Sequence, residues 1–152
     1  MRRRGYIAAM PHLVILYSKN FEPATDMDAL CRTLCDAMLA VRDDAGVQVF
    51  PTGGTRVLAY PAAHHAVADG AREYFFMYMN VRMAKGRSAL VHKAVGEAVA
   101  TAARAHLAPL YDTQYIGLTV QVDEGHEVFD AKLSTLHPLF NPPFNPTAGA
   151  TP

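Results

Sequence analysis

Two successive strand–helix–strand patterns restrict the fold of this chain more than any other feature. The first begins with a strand at residues 12–17 and ends with a strand at 55–60. Asp26 can cap the helix between them, which runs to about Val41. Apolar residues recur along this helix at the spacing of one buried face: Leu30, Leu34, Ala37, Met38 and Val41. A right-handed βαβ unit with parallel strands is therefore predicted.

The second pattern repeats the design. A strand at residues 73–83 contains a continuous apolar run at 74–79, which is typical of a strand covered on both faces. Ser88 can cap a helix over 89–107, and a last strand is predicted at 115–122. One face of this helix is expected to pack on the sheet: Val91, Val95, Ala98 and Ala102.

Two βαβ units of equal design predict a two-layer α/β (α+β) domain. A four-stranded sheet would carry both helices on one face. The opposite face would then stay uncovered in a single chain, and an apolar sheet face of that kind needs a partner. Oligomerisation is therefore expected, although the pattern does not fix the number of subunits.

Charge and composition exclude several classes of protein. The 152 residues contain 14 basic and 14 acidic side chains, without the basic excess of a nucleic-acid-binding protein. No segment has the roughly 20 consecutive apolar residues of a membrane span. Cys31 and Cys35 lie four positions apart in a helical pattern, so we interpret them as small apolar residues of a reducing compartment.

Both ends of the chain depart from this compact pattern. Arg2, Arg3 and Arg4 followed by apolar residues resemble a short signal peptide, but Pro11 and His12 interrupt the apolar stretch. Residues 1–10 are therefore predicted to be a leader created by an overcalled start site, with Met10 as the real start. One domain is expected at 11–140, and the Pro-rich tail at 141–152 is expected to be irregular or bound to a partner, as is the chain from residue 137.

Four short motifs occur in a specific order. They are Met10-Pro11-His12-Leu13-Val14, Phe50-Pro51-Thr52-Gly53-Gly54-Thr55-Arg56, Ala68-Asp69-Gly70 and Gly86-Arg87-Ser88. Each motif is weak alone, but with this order and spacing the chain resembles the 5-carboxymethyl-2-hydroxymuconate isomerase family. That family belongs to the tautomerase superfamily, which includes macrophage migration inhibitory factor. The resemblance covers about residues 11–140.

The resemblance implies a fold, an assembly and a reaction. It implies a homotrimer of tandem βαβ subunits that isomerises an unsaturated di- or tricarboxylic acid in homoprotocatechuate catabolism, without a cofactor. The reducing compartment indicated by Cys31 and Cys35 makes a cytoplasmic location the expectation. By position, Pro11 matches the catalytic amino-terminal proline, and Arg56 and Arg87 match the substrate-binding arginines. The leader is the serious departure from the family, because an acylated proline nitrogen is not a base.

Elementary chemistry agrees with these assignments. A free α-amino group titrates near pH 8, and burial beside cations lowers its pKa because the charged form is disfavoured. A guanidinium binds a carboxylate through two parallel hydrogen bonds and stays charged at any working pH. Arg87 also precedes a helix amino terminus, where free N–H groups attract anions.

Alternatives stay open at this point. Asp69 or Glu73 could position water for a hydratase or dehalogenase on the same fold, and a blocked Pro11 would leave a non-enzymatic trimeric binding protein. Gly53-Gly54 could bring the backbone close to a ligand or form an ordinary tight turn. The histidines lack metal-ligand spacing, so no metal site is expected: His64, His65, His92 and His106.

Overall fold

The structure is a computed structural model that describes residues 11–140. Its strands are β1 (His12–Ser18), β2 (Arg56–Ala62), β3 (Tyr74–Ala84) and β4 (Tyr115–Gly125), and its helices are α1 (Met27–Leu39), α2 (Ala89–Tyr111) and α3 (His137–Phe140). The predicted leader at 1–10 and the predicted tail at 141–152 lie outside the described residues. None of the helices in the described part has the length and apolar content that a membrane crossing needs.

The four strands form one sheet in the order β2-β1-β3-β4. Pairing is parallel within each unit, between β1 and β2 and between β3 and β4. The two units meet through antiparallel pairing of β1 with β3, in which His12 lies opposite Arg82. This arrangement confirms the predicted tandem βαβ fold.

Both long helices begin at the predicted caps and pack side by side on one face of the sheet. The Ala29 N–H donates to Asp26 Oδ1 at 2.9 Å, and the Val91 N–H donates to Ser88 Oγ at 3.2 Å. Each cap satisfies a backbone donor that the helix cannot, which typically contributes about 1 kcal/mol. The prediction of two helices on one face is confirmed.

Burial along β3 alternates, so the prediction of a strand covered on both faces is wrong for the single chain. Phe75, Met77, Met79, Val81 and Met83 lie under the helices, whereas the residues between them face away. The apolar run is continuous because the second face also carries aromatic side chains.

The buried row of α2 also differs from the prediction. It takes every fourth residue, Val91, Val95, Val99, Ala103 and Leu107, while Ala98 and Ala102 are only half-buried. The helix continues past the predicted end at residue 107, through Pro109, to Tyr111. Leu110 and Tyr111 pack against the core, and this packing offsets the backbone hydrogen bond that proline cannot donate.

The uncovered sheet face is apolar at one end and polar at the other. Its exposed apolar side chains include Leu16, Leu58, Tyr60 and Phe76. Toward the start of β1 the face becomes polar, because Tyr78 Oη donates to Gln121 Oε1 at 2.7 Å and Asn80 Nδ2 donates to Asp123 Oδ2 at 2.6 Å. The expected uncovered face is thus present.

The chain after Leu136 is not irregular throughout, as had been expected. Residues His137–Phe140 form α3, which packs on a 3-10 turn at Thr52–Gly54. A Cβ atom on Gly53 would lie 3.0 Å from the Cα of His137 and 3.1 Å from Cδ2 of Phe140. The glycine is explained by this close approach of α3 within the chain.

Gly53→Ala should destabilise the protein by about 1–3 kcal/mol, because the new methyl group must displace the α3 backbone. Gly96→Ala is the matched control: its Cβ would meet only Val122 Cγ2 at 3.5 Å, and alanine in a helix interior gains about 0.5–1 kcal/mol over glycine. Urea unfolding of both variants measures the difference. Equal stability of the two variants would contradict the packing described for α3.

Candidate active site

Pro11 lies immediately before β1 and is buried. Its carbonyl oxygen accepts a hydrogen bond from the Arg56 backbone N–H at 3.3 Å. This bond continues the parallel pairing of β1 with β2, in which His12 lies beside Arg56. The backbone therefore fixes the position of Pro11 relative to the first residue of β2.

Arg56 is half-buried, and its Nη1 donates to the Gly54 carbonyl at 3.0 Å. The same turn is held by a second bond, from Thr55 Oγ1 to the Pro51 carbonyl at 2.8 Å. The tight turn before β2 thus positions the guanidinium next to the strand that starts at Pro11.

Arg87 lies in the loop between β3 and α2. Gly86 makes the turn with φ of +103°, a conformation that favours glycine, and Ser88 caps the helix that follows. Nη2 of Arg87 donates to the Val49 carbonyl at 3.0 Å, in the loop that leads to β2. The side chain is half-buried and joins the two loops.

The topology brings these three residues to one end of the sheet. Because β3 runs antiparallel to β1, the end of β3 lies beside the start of β1. The loop after α1 returns to the same end before β2 begins. A buried proline and two arginines, held by backbone carbonyls, therefore share this end, which we call the proline end.

His12 lies in the same place but on the uncovered face. Burial lowers its pKa below the ordinary value of 6.5, and the positive charges of Arg56 and Arg82 lower it further. The imidazole is consequently neutral at neutral pH. Its side chain lies on the opposite face of the strand from the core residue Leu13, as alternation along β1 requires.

Asp69 and Glu73, the carboxylates that could position water for a hydratase or dehalogenase, lie at the opposite end of β3 from Pro11. Asp69 Oδ1 accepts a hydrogen bond from Tyr74 Oη at 2.8 Å, at the start of β3. The strand is 11 residues long, roughly 35 Å, so Asp69 and Glu73 are far from the proline end of the same chain. This placement does not favour a hydratase or dehalogenase site built within one subunit.

The two helix histidines contact residues of other elements. His92 Nε2 lies 3.0 Å from Glu124 Oε1, and His106 Nε2 lies 3.1 Å from Thr25 Oγ1. Across residues 11–140, no group of three or more His, Cys, Asp or Glu side chains is arranged to hold a metal ion.

Sequence reasoning missed Arg82. It faces away from the helices at the proline end and lies in register with His12 on one side and Asp123 on the other. The signal was present in the sequence, since Arg82 is a cation within a long apolar strand. Its significance depends on the antiparallel pairing, which the two separate patterns did not predict.

A tandem βαβ sheet with a buried proline before its first strand, and arginines beside it, defines the tautomerase class of protein. The model of the 5-carboxymethyl-2-hydroxymuconate isomerase family matches residues 11–140. This chain belongs to that family.

Individual relatives agree. The 5-carboxymethyl-2-hydroxymuconate Delta-isomerase of Escherichia coli is 24% identical over 131 residues, which cover 86% of this chain and 99% of the relative. A crystal structure of a 5-carboxymethyl-2-hydroxymuconate delta-isomerase is 57% identical, with a TM-score of 0.85 over 89% of this chain and 95% of the other. The corresponding isomerase from Deinococcus radiodurans R1 is 29% identical, with a TM-score of 0.78 over 89% and 97% of the two chains.

Proposed function

We propose that this protein isomerises 5-carboxymethyl-2-hydroxymuconate in the catabolism of homoprotocatechuate, with Pro11 as the acid–base group and without a cofactor. The observation that carries the proposal is the convergence of a buried proline and two arginines at one end of the sheet, in a chain whose family match begins at that proline. Membership of an isomerase family supports the reaction class.

The reaction needs one group that accepts and returns a proton. The neutral amine of Pro11 takes the proton of the enol hydroxyl, and the electron pair of that O–H bond forms the ketone. The diene electrons shift, and the far diene carbon takes a proton from the resulting ammonium. The product is an isomer of the substrate, and Pro11 returns to its neutral form.

The proline nitrogen can do this only as a free amine. We propose that translation starts at Met10 and that removal of this methionine exposes Pro11. An unperturbed α-amino group titrates near pH 8. Burial of Pro11 and the nearby charge of Arg56 both disfavour the ammonium form, so the pKa should lie lower and closer to neutral pH.

Arg56 and Arg87 would hold carboxylates of the substrate. The substrate carries three carboxylates, two on the muconate chain and one on the carboxymethyl branch. Each arginine is already oriented by a backbone carbonyl, at 3.0 Å in both cases, which limits the side-chain entropy lost when a ligand binds.

The uncovered sheet face supports a homotrimer as the working assembly. Exposed apolar side chains such as Leu58 and Phe76 would be buried between subunits. A cytoplasmic location is supported by Cys31 and Cys35, which are one helical turn apart and carry free thiols.

Removing residues 1–10 should be required for activity. A protein version that begins Met10-Pro11 should isomerise the substrate, because methionine removal exposes the amine. A version that retains residues 1–10 has an amide nitrogen at Pro11 and should be nearly inactive. Intact-mass measurement verifies where each of the two versions begins. Pro11→Ala keeps a primary amine, so the trimmed form of this variant should retain some activity with a shifted pH profile. Equal rates for the trimmed and extended forms would exclude Pro11 as the base.

Arg87→Ala should mainly raise KM, by roughly 10–150-fold, as expected for loss of about 1.5–3 kcal/mol from a charged hydrogen-bonded contact. Arg56→Ala should act similarly, with a larger fall in kcat if it also stabilises developing negative charge. Arg42→Ala is the matched control, since Nη1 of Arg42 donates to the carbonyls of Leu39 and Val41, at the end of α1 and just after it. Steady-state kinetics measure KM and kcat for the three variants. If Arg56→Ala and Arg87→Ala have the same KM and kcat as Arg42→Ala, the substrate binds elsewhere.

Light scattering of the trimmed protein should give about three chains per particle. Leu58→Glu places a charge on the uncovered face and should shift the particles toward single chains, because a buried unpaired charge is costly. A monodisperse monomer of the unmodified sequence would refute the assembly.

A further inference from the structure

Three side chains form a row across the uncovered face at the proline end. His12 is the register partner of both Arg56 on β2 and Arg82 on β3. Register partners on neighbouring strands point to the same face of a sheet. Both arginines lower the pKa of His12, in agreement with their closeness to it. The row therefore holds two permanent positive charges separated by a neutral imidazole.

Among the described residues, no carboxylate forms an ion pair with Arg82. Its register partner on β4 is Asp123, but Asp123 Oδ2 accepts a hydrogen bond from Asn80 Nδ2 at 2.6 Å. No ion pair within residues 11–140 includes Arg82, and its side chain is exposed. The guanidinium can thus receive a ligand carboxylate without first breaking an ion pair.

The end of β4 leaves room for this side chain. A Cβ atom on Gly125 would lie 3.1 Å from Arg82 Nε and would also overlap the end of the Glu127 side chain. The absence of a side chain at 125 lets Arg82 lie against the β4 backbone. Glu127 is near but outside ion-pairing distance of Arg82, since the ion pairs of the described residues do not include it.

Two arginines of the site are assigned to substrate carboxylates, and the third carboxylate has no assigned cation. Arg56 and Arg87 account for two of three carboxylates, and Arg87 comes from a loop on the helix side whereas Arg56 begins β2. A six-carbon dicarboxylate needs cations at separate positions. The carboxymethyl branch starts from the diene carbon that takes up the proton, so it must lie close to Pro11. Arg82, a further cation of the proline end, is in register with His12, the residue after Pro11.

We propose that Arg82 binds the carboxylate of the carboxymethyl branch and is the residue that selects a tricarboxylate over an unbranched dicarboxylate. This inference rests on the proposed function and assigns a specificity-determining role within the same site. His12 acts as the neutral spacer that holds the Arg56 and Arg82 guanidiniums apart.

Binding of two saturated ligands tests the assignment independently of turnover. 2-(Carboxymethyl)hexanedioate retains all three carboxylates, and hexanedioate lacks the branch; neither can be isomerised. Calorimetry on the assembled protein beginning at Pro11 should show that Arg82→Gln weakens the tricarboxylate by roughly tenfold or more and changes the Kd of hexanedioate less than twofold. Arg82→Lys keeps the charge, so its Kd for the tricarboxylate should lie between those of the unmodified protein and Arg82→Gln.

Arg104→Gln is the matched control, because it removes the same charge from α2, where Arg104 lies over the ring of Tyr111. It should leave both Kd values unchanged. Equal weakening of the two ligands by Arg82→Gln, or no weakening, would overturn the inference even if the enzyme isomerises its substrate. Selective loss of the tricarboxylate in a protein without isomerase activity would uphold the inference and refute the proposed reaction.

Discussion

The antiparallel pairing of β1 with β3 determines where the rest of the molecule lies. Each βαβ unit alone is a parallel strand pair with a helix, and its two strand starts lie at one end. Joining the units through β1 and β3 reverses one unit, so that the end of β3 and the loop carrying Arg87 arrive beside Pro11. A shift of one residue in this pairing would turn Arg82 to the opposite face and separate it from His12.

One-sided burial is the second consequence of this arrangement. Both long helices cover the same face, and the buried row of β3 takes every second residue. The opposite face differs between its two ends. Apolar side chains such as Leu16 and Phe76 lie toward one end, and Arg56, His12 and Arg82 lie toward the other. In the function proposed above, assembly uses the apolar end of this face, and Arg56 and Arg82 bind substrate at the polar end.

Much of the fold could be predicted because local signals and the global fold agree. Asp26 and Ser88 cap helices whose apolar faces have helical spacing, and both caps are present. The relation between the two units depends on long-range pairing, which no local pattern encodes, and Arg82 was missed for that reason. α3 was missed because it is four residues long and is held by its contact with Gly53 rather than by its own sequence.

The central claim is that Pro11 carries a free secondary amine that exchanges the substrate proton. Protein labelled with ¹⁵N-proline, with the Pro11 signal identified by its loss in Pro11→Ala, allows this nitrogen to be titrated directly by NMR. We predict an amine signal whose pKa lies below the ordinary value of about 8 and coincides with the low-pH limb of kcat/KM. An amide signal in the active enzyme, or an amine that remains protonated where kcat/KM is highest, would contradict the mechanism.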